Sequence, residues 1–221
     1  MDLVRGDRLI INPHHREAAA ILALLFEKRL SDRDAPLIIG IGGESGSGKS
    51  ELACALRDAM EAGGHNTLIL QQDDFYVSPP KTNDRRRRQD PTWVGPREVR
   101  LEELDRVIGL IKSGATAVVC PLISYAEDAI EQRHVDVAGT EAVIVEGTYT
   151  GLLTQIDIRV FIDRTIEDTR EHRLQRGREP QDEFLGRILR IEHEIVRTHR
   201  QRADIVVSRD FTIHEAKEAG V

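Results

Sequence analysis

One eight-residue stretch combines residue types that could bind a phosphate group. Residues 43–50 have the spacing Gly-x-x-x-x-Gly-Lys-Ser. They are Gly43, Glu44, Ser45, Gly46, Ser47, Gly48, Lys49 and Ser50. Glycines let the backbone wrap closely, so that successive N–H groups point toward phosphate oxygens, while Lys49 can reach the outer phosphates and the Ser50 hydroxyl can bind Mg²⁺. The stretch is therefore predicted to be a nucleotide-binding P-loop.

The segments on either side of this loop have the pattern that such a site requires. Residues 36–41 are an apolar run typical of a buried parallel strand. Residues 51–60 are rich in helix formers and are followed by two glycines at 63–64. A strand, a glycine loop and a helix favour a phosphate site over a glycine-rich turn with a chance lysine. A dinucleotide-binding fingerprint does not fit, because residues 40–48 contain no Gly-x-Gly-x-x-Gly.

Two acidic side chains come at the ends of predicted buried strands and could complete a phosphoryl-transfer site. Asp73 follows the strand at 67–71, and Glu146 follows the strand at 142–145. Ligands bind beyond the carboxyl ends of parallel strands, so both carboxylates are expected beside the P-loop. Asp73 is the candidate general base for an attacking hydroxyl group, and Glu146 is a candidate metal ligand together with Ser50.

Structural roles stay open for these acidic residues. Asp73 or its neighbour Asp74 could cap a turn, and Glu146 could cap the helix that follows it. Asp163 ends a further apolar strand, and its simpler role is to cap a helix at 165–175.

Two groups of arginines provide cations that could contact phosphate. The first lies in a predicted lid at about 170–182 and consists of Arg170, Arg173, Arg176 and Arg178. Guanidinium groups grip phosphate oxygens with a fork of donors, and a flexible arginine segment fits a lid that closes on the transferring group. A solvated, salt-bridged helix face is the alternative. The second group, at 85–88, is either a solvated surface or a basic flap beside an anionic acceptor.

The rest of the chain alternates strands with helices, which predicts an α/β fold with a parallel sheet flanked by helices on both faces. Residues 1–35 are predicted to form a strand-helix extension, with an edge strand at 7–11, a helix at 13–30, and His14 and His15 facing solvent. A P-loop domain at 36–221 follows. Within it the pattern predicts a loop at 77–96, helices at 97–113 and 180–199, a small β-hairpin insertion within 115–138, and strands at 158–162 and 204–207.

Composition limits the class of protein and its partners. The chain has 221 residues and a net charge of −7, which fits one globular domain and argues against a nucleic-acid partner. No apolar run approaches the about 20 residues of a membrane span, and no signal peptide is evident, so no membrane partner is expected. Cys54 and Cys120 lie in apolar segments and are interpreted as buried thiols in a reducing cytoplasm. A homo-oligomer is left open.

The order of these motifs resembles the uridine kinase and phosphoribulokinase family over residues 36–208. The segments that carry the resemblance are residues 43–50, 72–76, 145–147, 160–163, 176–179 and 203–206. The resemblance implies a P-loop kinase fold and ATP- and Mg²⁺-dependent phosphorylation of a hydroxyl group on a small molecule. It also implies that Asp73 is the catalytic aspartate, that Glu146 lies near the metal, and that Arg176 and Arg178 are lid arginines.

The acceptor is less defined by the resemblance. Uridine kinases carry a Pro-x-Tyr-Asp stretch and a nearby histidine, whereas this chain has Pro121-Leu122-Ile123-Ser124-Tyr125 and no histidine until His134. Alternatives to a uridine kinase-like activity are a kinase for nicotinamide riboside, a sugar phosphate or a pantothenate-like acid, and a non-catalytic nucleotide-binding regulator. A GTPase-like switch does not fit, because no asparagine is followed by lysine. The arginines at 85–88 lead us to expect an anionic acceptor.

Overall fold

A computed structural model of the chain describes residues 9–176 and 182–215. Its central sheet has six strands in the order β2-β5-β1-β6-β7-β8. The strands are β1 (Leu37–Gly43), β2 (Thr67–Gln71), β5 (Ala142–Glu146), β6 (Ile158–Ile162), β7 (Ile205–Val207) and β8 (Ile213–Glu215). All neighbouring strands are parallel except β7 and β8. The register places Glu146 between Gln71 and Ile41.

Helices cover both faces of this sheet, as predicted. The α-helices of the described residues are α1 (Pro13–Ser31), α2 (Lys49–Ala62), α3 (Pro80–Gln89), α4 (Leu101–Lys112), α5 (Arg170–Arg176) and α6 (Glu183–Val196). Every residue of β1 is buried, and successive side chains alternate between two cores. Ile39 packs in the core under α1 and α2, whereas Ile38 packs in the core under α4. Burial on both faces explains why the strand reads as a continuous apolar run.

The predicted hairpin insertion is confirmed, and its strands are longer than the β-like segments in the sequence. Strands β3 (Ala117–Ser124) and β4 (Ala129–Asp136) pair antiparallel in a separate two-stranded sheet. Asp74 ties this hairpin to the end of β2, because its Oδ1 accepts a hydrogen bond of 3.2 Å from the Ile123 N–H. Cys120 on β3 is buried, as is Cys54 on α2, and burial raises the pKa of both thiols to about 11.

The N-terminal helix matches its prediction, but its surroundings do not. Residues 9–11 form no strand in the described part of the chain, and residues 7–8 lie outside it. His15 was predicted to face solvent, yet it is 2% exposed and packs edge-on against Phe211 with ring centroids 4.6 Å apart. The Asn12 N–H donates to His15 Nδ1 at 3.0 Å. The histidine is buried because α1 packs directly on α2, the helix of the P-loop.

Residues 77–96 were predicted to be a loop, and that prediction is wrong. They contain α3, which begins at Pro80, and two short 3₁₀ turns at Pro91–Trp93 and Pro96–Glu98. The helix is polar almost throughout and has no apolar stripe, so its pattern gave no helical signal. Tertiary contacts hold it instead, through Asn83 and the fully buried Glu98.

Three other helices are shorter than predicted. The 3₁₀ turn at Pro96–Glu98 delays α4 to Leu101. The Asp168 carboxylate accepts from the Thr165 N–H at 3.0 Å and closes a turn before α5. Asp182 caps α6 by accepting from the Leu185 N–H, and residues 197–202 continue from that helix as a 3₁₀ segment.

Within the ranges described, no helix has the length and apolar character needed to cross a bilayer.

Candidate active site

The P-loop joins the end of β1 to the start of α2 and needs glycine for its path. Gly46 and Gly48 have positive φ angles of 77° and 101°. A Cβ atom at Gly46 would lie 2.8 Å from Arg173 Cγ, and one at Gly48 would lie 2.9 Å from Phe211 Cζ. The loop is therefore enclosed by α5 on one side and by the segment before β8 on the other.

Polar groups of this loop are arranged to receive an anion. The Ser47 hydroxyl is buried and has no hydrogen-bond partner within the described part of the chain. Lys49 lies at the N-terminus of α2, and its Nζ donates to the Glu44 carbonyl at 2.8 Å. The positive end of the α2 dipole points into the same loop. These features fit the phosphate groups of a nucleotide.

Ser50 and Glu146 bring two hard oxygen ligands together. The Ser50 hydroxyl donates to Glu146 Oε1 at 3.1 Å. Glu146 is 6% exposed, and burial raises its pKa to about 7. The charge of Asp73 raises this pKa further, while Lys49 and the hydrogen bond from Ser50 oppose the shift. A cation at this position would relieve the cost of the buried carboxylate, so the donor set fits Mg²⁺.

The two adjacent aspartates after β2 have different environments. Asp73 lines the central cleft together with Ser50 and Glu146. Asp74 is buried, accepts from Ile123 and lies 3.8 Å from a guanidinium nitrogen of Arg133. Asp74 therefore has a structural contact, whereas Asp73 faces the cleft.

Gln72 and Gly147 lie in segments that carried the family resemblance, but sequence reasoning gave them no role. They hold these strand ends together. Gln72 is fully buried, and its Oε1 accepts from the Tyr149 N–H at 2.7 Å. A Cβ atom at Gly147 would lie 2.4 Å from Gln72 Cβ. Each of these residues adjoins a predicted site residue, and that adjacency was the available signal.

The cleft beyond the P-loop has a volume of about 830 Å³. The P-loop, Asp73 and Glu146 form one end. We call the other end, formed by α3 and α6, the acceptor end. Its side chains from those helices are Pro80, Lys81, Asn83, Asp84, Arg85, Arg87, Arg88, Phe184, Leu185, Ile188, Leu189 and Glu192. A mixed apolar and polar cleft of this size suits a small-molecule ligand.

The four arginines at 85–88 lie on helix α3 and not in a loop. Three of them line the cleft from α3, whereas Arg86 stacks over Trp93 with its Cζ 3.3 Å from the ring centroid. Arg87 binds both oxygens of Glu98 and donates to Glu192 Oε1 at 3.1 Å. Burial lowers the pKa of Arg87, but the two carboxylates outweigh it and the pKa is raised, so this largely buried group stays charged and paired.

The predicted lid is described only in part. Arg173 donates to the Ile166 carbonyl at 2.8 Å and to the Thr169 hydroxyl, and its side chain approaches Gly46. The side chain of Arg176 and all of Arg178 lie outside the described residues. Asp163 does not cap a helix as expected but pairs with Arg200 at 2.8 Å.

Two consecutive residues of α6 connect both ends of the cleft, and sequence reasoning missed them. Glu192 contacts Arg87 of α3, and His193 Nδ1 lies 2.6 Å from Oε1 of Glu44 in the P-loop. Burial raises the pKa of Glu44, His193 opposes the shift, and Glu167 adds to it. Glu44 and His193 are 149 residues apart, so no local pattern indicates the pair.

Comparisons with known proteins point to one family. Residues 38–209 match the model described as the Phosphoribulokinase / Uridine kinase family. A uridine kinase from Bacillus mycoides is 24% identical over 196 residues, which cover 82% of this chain and 89% of that protein. A bifunctional alpha-galactosidase/sucrose kinase from Mediterraneibacter gnavus is 26% identical over 193 residues, covering 81% of this chain. The match spans 21% of that longer protein.

Solved structures show the same fold. A possible uridine kinase from Bacillus stearothermophilus superposes with a TM-score of 0.61 at 19% identity, covering 86% of this chain and 97% of that one. D-glycerate 3-kinase from Cryptococcus neoformans superposes with a TM-score of 0.64 at 16% identity, covering 93% of this chain and 100% of that one. Together with the P-loop and the parallel sheet, these likenesses establish the P-loop kinase fold.

Proposed function

Because this chain belongs to the phosphoribulokinase/uridine kinase family, we propose that it transfers the γ-phosphoryl group of ATP, with Mg²⁺, to a hydroxyl group of a small molecule. One observation carries the proposal. The P-loop, the Ser50–Glu146 pair and Asp73 line a single cleft of about 830 Å³, which is also lined by side chains of α3 and α6. Phosphoryl transfer needs these parts in this relation.

Each residue has a role in the transfer. Asp73 accepts the proton of the acceptor hydroxyl as its oxygen forms a bond to the γ-phosphorus, and the bond to the leaving oxygen of ADP breaks. Lys49 and the loop N–H groups stabilise the charge on the phosphate oxygens. Ser50 and Glu146 would hold Mg²⁺, which when bound neutralises charge on the outer phosphates. Lid arginines at 173, 176 and 178 are proposed to contact the same phosphates.

The proposal extends to the organisation of the chain. Residues 36–221 form the kinase domain, and the extension at 1–35 supports the P-loop through the contacts of His15 with the Gly48 region. Uridine is one candidate acceptor. Nicotinamide riboside, sugar phosphates and pantothenate-like acids are others.

A coupled assay of ADP release tests the activity. Purified protein with ATP and Mg²⁺ is screened against nucleosides, sugars, sugar phosphates and vitamin precursors, with Lys49→Ala as the control for contaminating kinases. ADP release that depends on both an acceptor and Lys49 is expected. A folded protein that binds ATP and releases no acceptor-dependent ADP would instead be a nucleotide-binding regulator.

A further inference from the structure

Three of the four cations at the acceptor end are paired with carboxylates. Arg88 contacts Asp84 at 2.8 Å and Asp182 at 3.6 Å. Arg85 lies 3.7 Å from Asp128. Together with the pairing of Arg87, these contacts join three of the cations to five carboxylates, whereas the Lys81 ammonium lies 3.5 Å from the Ala126 carbonyl. The cations are Lys81, Arg85, Arg87 and Arg88, and the carboxylates are Asp84, Glu98, Asp128, Asp182 and Glu192.

This pairing argues against an anionic acceptor. A phosphate or carboxylate group entering here would need guanidinium groups to release their present carboxylates, and those carboxylates would then repel it. The strongest pairing is at the most buried cation, Arg87, whose carboxylate partners are both buried. Arg87 is therefore already engaged and is not a free cation for an anionic acceptor.

The same groups suit a ligand with several hydroxyl groups. A hydroxyl can donate to a carboxylate such as Asp84 and accept from a neighbouring guanidinium such as Arg88 at the same time. Paired charges supply donors and acceptors side by side. On α6, Phe184, Leu185 and Ile188 add an apolar wall, against which the C–H groups of a ring can pack.

A nucleobase is less well matched. Among the described residues that line the cleft, Asn83 is the one with a side-chain amide, a group that can pair with both the donors and the acceptors on the edge of a base. Its Nδ2 donates to Glu98 at 2.9 Å, and its Oδ1 accepts from Trp93 Nε1 at 3.0 Å. This amide serves to hold α3 in place.

Resting on the kinase function proposed above, we infer that the acceptor is an uncharged, polyhydroxylated molecule of the sugar or polyol class, held by the paired charges of α3 and α6. Its hydroxyl groups bind Asp84, Glu192 and the arginines beside them, and one of them is presented to Asp73.

Matched acceptors test this inference. ADP release is measured with free sugars and polyols, with their phosphate esters, with the corresponding sugar acids and with nucleosides. We expect a free sugar or polyol to have the highest kcat/KM, at least about tenfold above its phosphate ester, with a KM nearly independent of salt. A phosphorylated, carboxylated or nucleoside acceptor with the highest kcat/KM overturns the inference and leaves the kinase function intact. No acceptor-dependent ADP release at all would overturn the kinase function itself.

A substitution that removes one carboxylate gives an independent test, because it should change KM in opposite directions for a neutral and for an anionic acceptor. Asp84 is exposed on α3, so Asp84→Asn should fold normally. With a hydroxylated neutral acceptor the variant loses a charged acceptor of hydrogen bonds, and KM should rise about three- to tenfold. With an anionic acceptor the variant loses a repelling charge, and KM should fall, which would contradict the inference. Arg86→Gln is the matched control on the far face of the same helix and should leave KM unchanged.

Discussion

His193 Nδ1 lies 2.6 Å from Oε1 of Glu44, so an α6 side chain contacts a carboxylate inside the P-loop. A buried carboxylate near the expected phosphates opposes anion binding unless it is paired or protonated. The pair therefore gives the loop a pH-sensitive element that the P-loop motif does not require.

Glu44→Gln should stabilise the protein at pH 8 and lose that advantage in acid. Burial raises the pKa of Glu44 above its ordinary value of 4.5 in the folded state. The folded state therefore favours the protonated form, and the cost of ionising Glu44 grows as the pH rises above 4.5. Glutamine keeps the shape and never ionises.

The measurement is the free energy of unfolding in urea between pH 5 and 8, with exposed Glu61→Gln on α2 as the control. ATP binding by Glu44→Gln should also tighten, because one negative charge is removed beside the phosphates. A stability difference that is the same at every pH would show that Glu44 does not titrate in this way.

Lys49→Ala should lower kcat by about 100-fold or more, since one stabilising donor at the transferring phosphate is typically worth that much. Circular dichroism and thermal unfolding should remain close to the wild type, because Lys49 is partly exposed. Lys28→Ala, at an exposed position on α1, is the control for loss of a lysine. Full activity in a folded Lys49→Ala protein would rule out the proposed mechanism.

Asp73→Asn and Asp74→Asn should separate catalysis from stability. Asp73→Asn is expected to keep ATP binding and to lose about 10²–10⁴ in kcat, the usual contribution of a general base. Asp74→Asn should lower the free energy of unfolding by about 1–3 kcal/mol, because a buried charged acceptor of the Ile123 N–H is weakened. Steady-state kinetics and urea unfolding of both variants give the comparison, and the reverse assignment of the two effects would refute it.

Gly147→Ala should impair both folding and turnover. The added Cβ would lie 2.4 Å from Gln72 Cβ, and overpacking of this kind costs about 1–3 kcal/mol. Displacing Gln72 also moves Asp73, so kcat should fall more than stability alone explains. Gly109→Ala on α4 is the matched control, because a Cβ there meets no atom within 4 Å and alanine favours a helix. A Gly147→Ala protein with wild-type kcat would show that this contact does not position Asp73.

The sequence predicted features that depend on neighbouring residues, and it missed features that depend on contacts between residues far apart in the chain. The P-loop and the strands around it were predictable, because the glycine spacing and the buried apolar runs are local signals. Asp73 and Glu146 followed from the rule that parallel strands end at one edge of the sheet. Knowledge of the strand order was therefore sufficient to predict that these two carboxylates lie near the P-loop.

Helix α3 could not be predicted in the same way. It has no apolar stripe, and it is held by Glu98 and Asn83, whose roles depend on the folded chain. His15 was misassigned for a similar reason, since its burial depends on Phe211 near the other end of the chain. Charge density on its own indicates a solvated surface, and it cannot reveal that each charge has a specific partner.

Helix α6 has a fixed rotational phase because Glu192 and His193 face different neighbours. Consecutive residues of an α-helix differ by about 100° around its axis. One inserted residue within α6 before Glu192 would turn both side chains away from Arg87 and Glu44 at once. Relatives that keep both contacts should therefore vary the length of this helix by about whole turns, or lengthen it after His193.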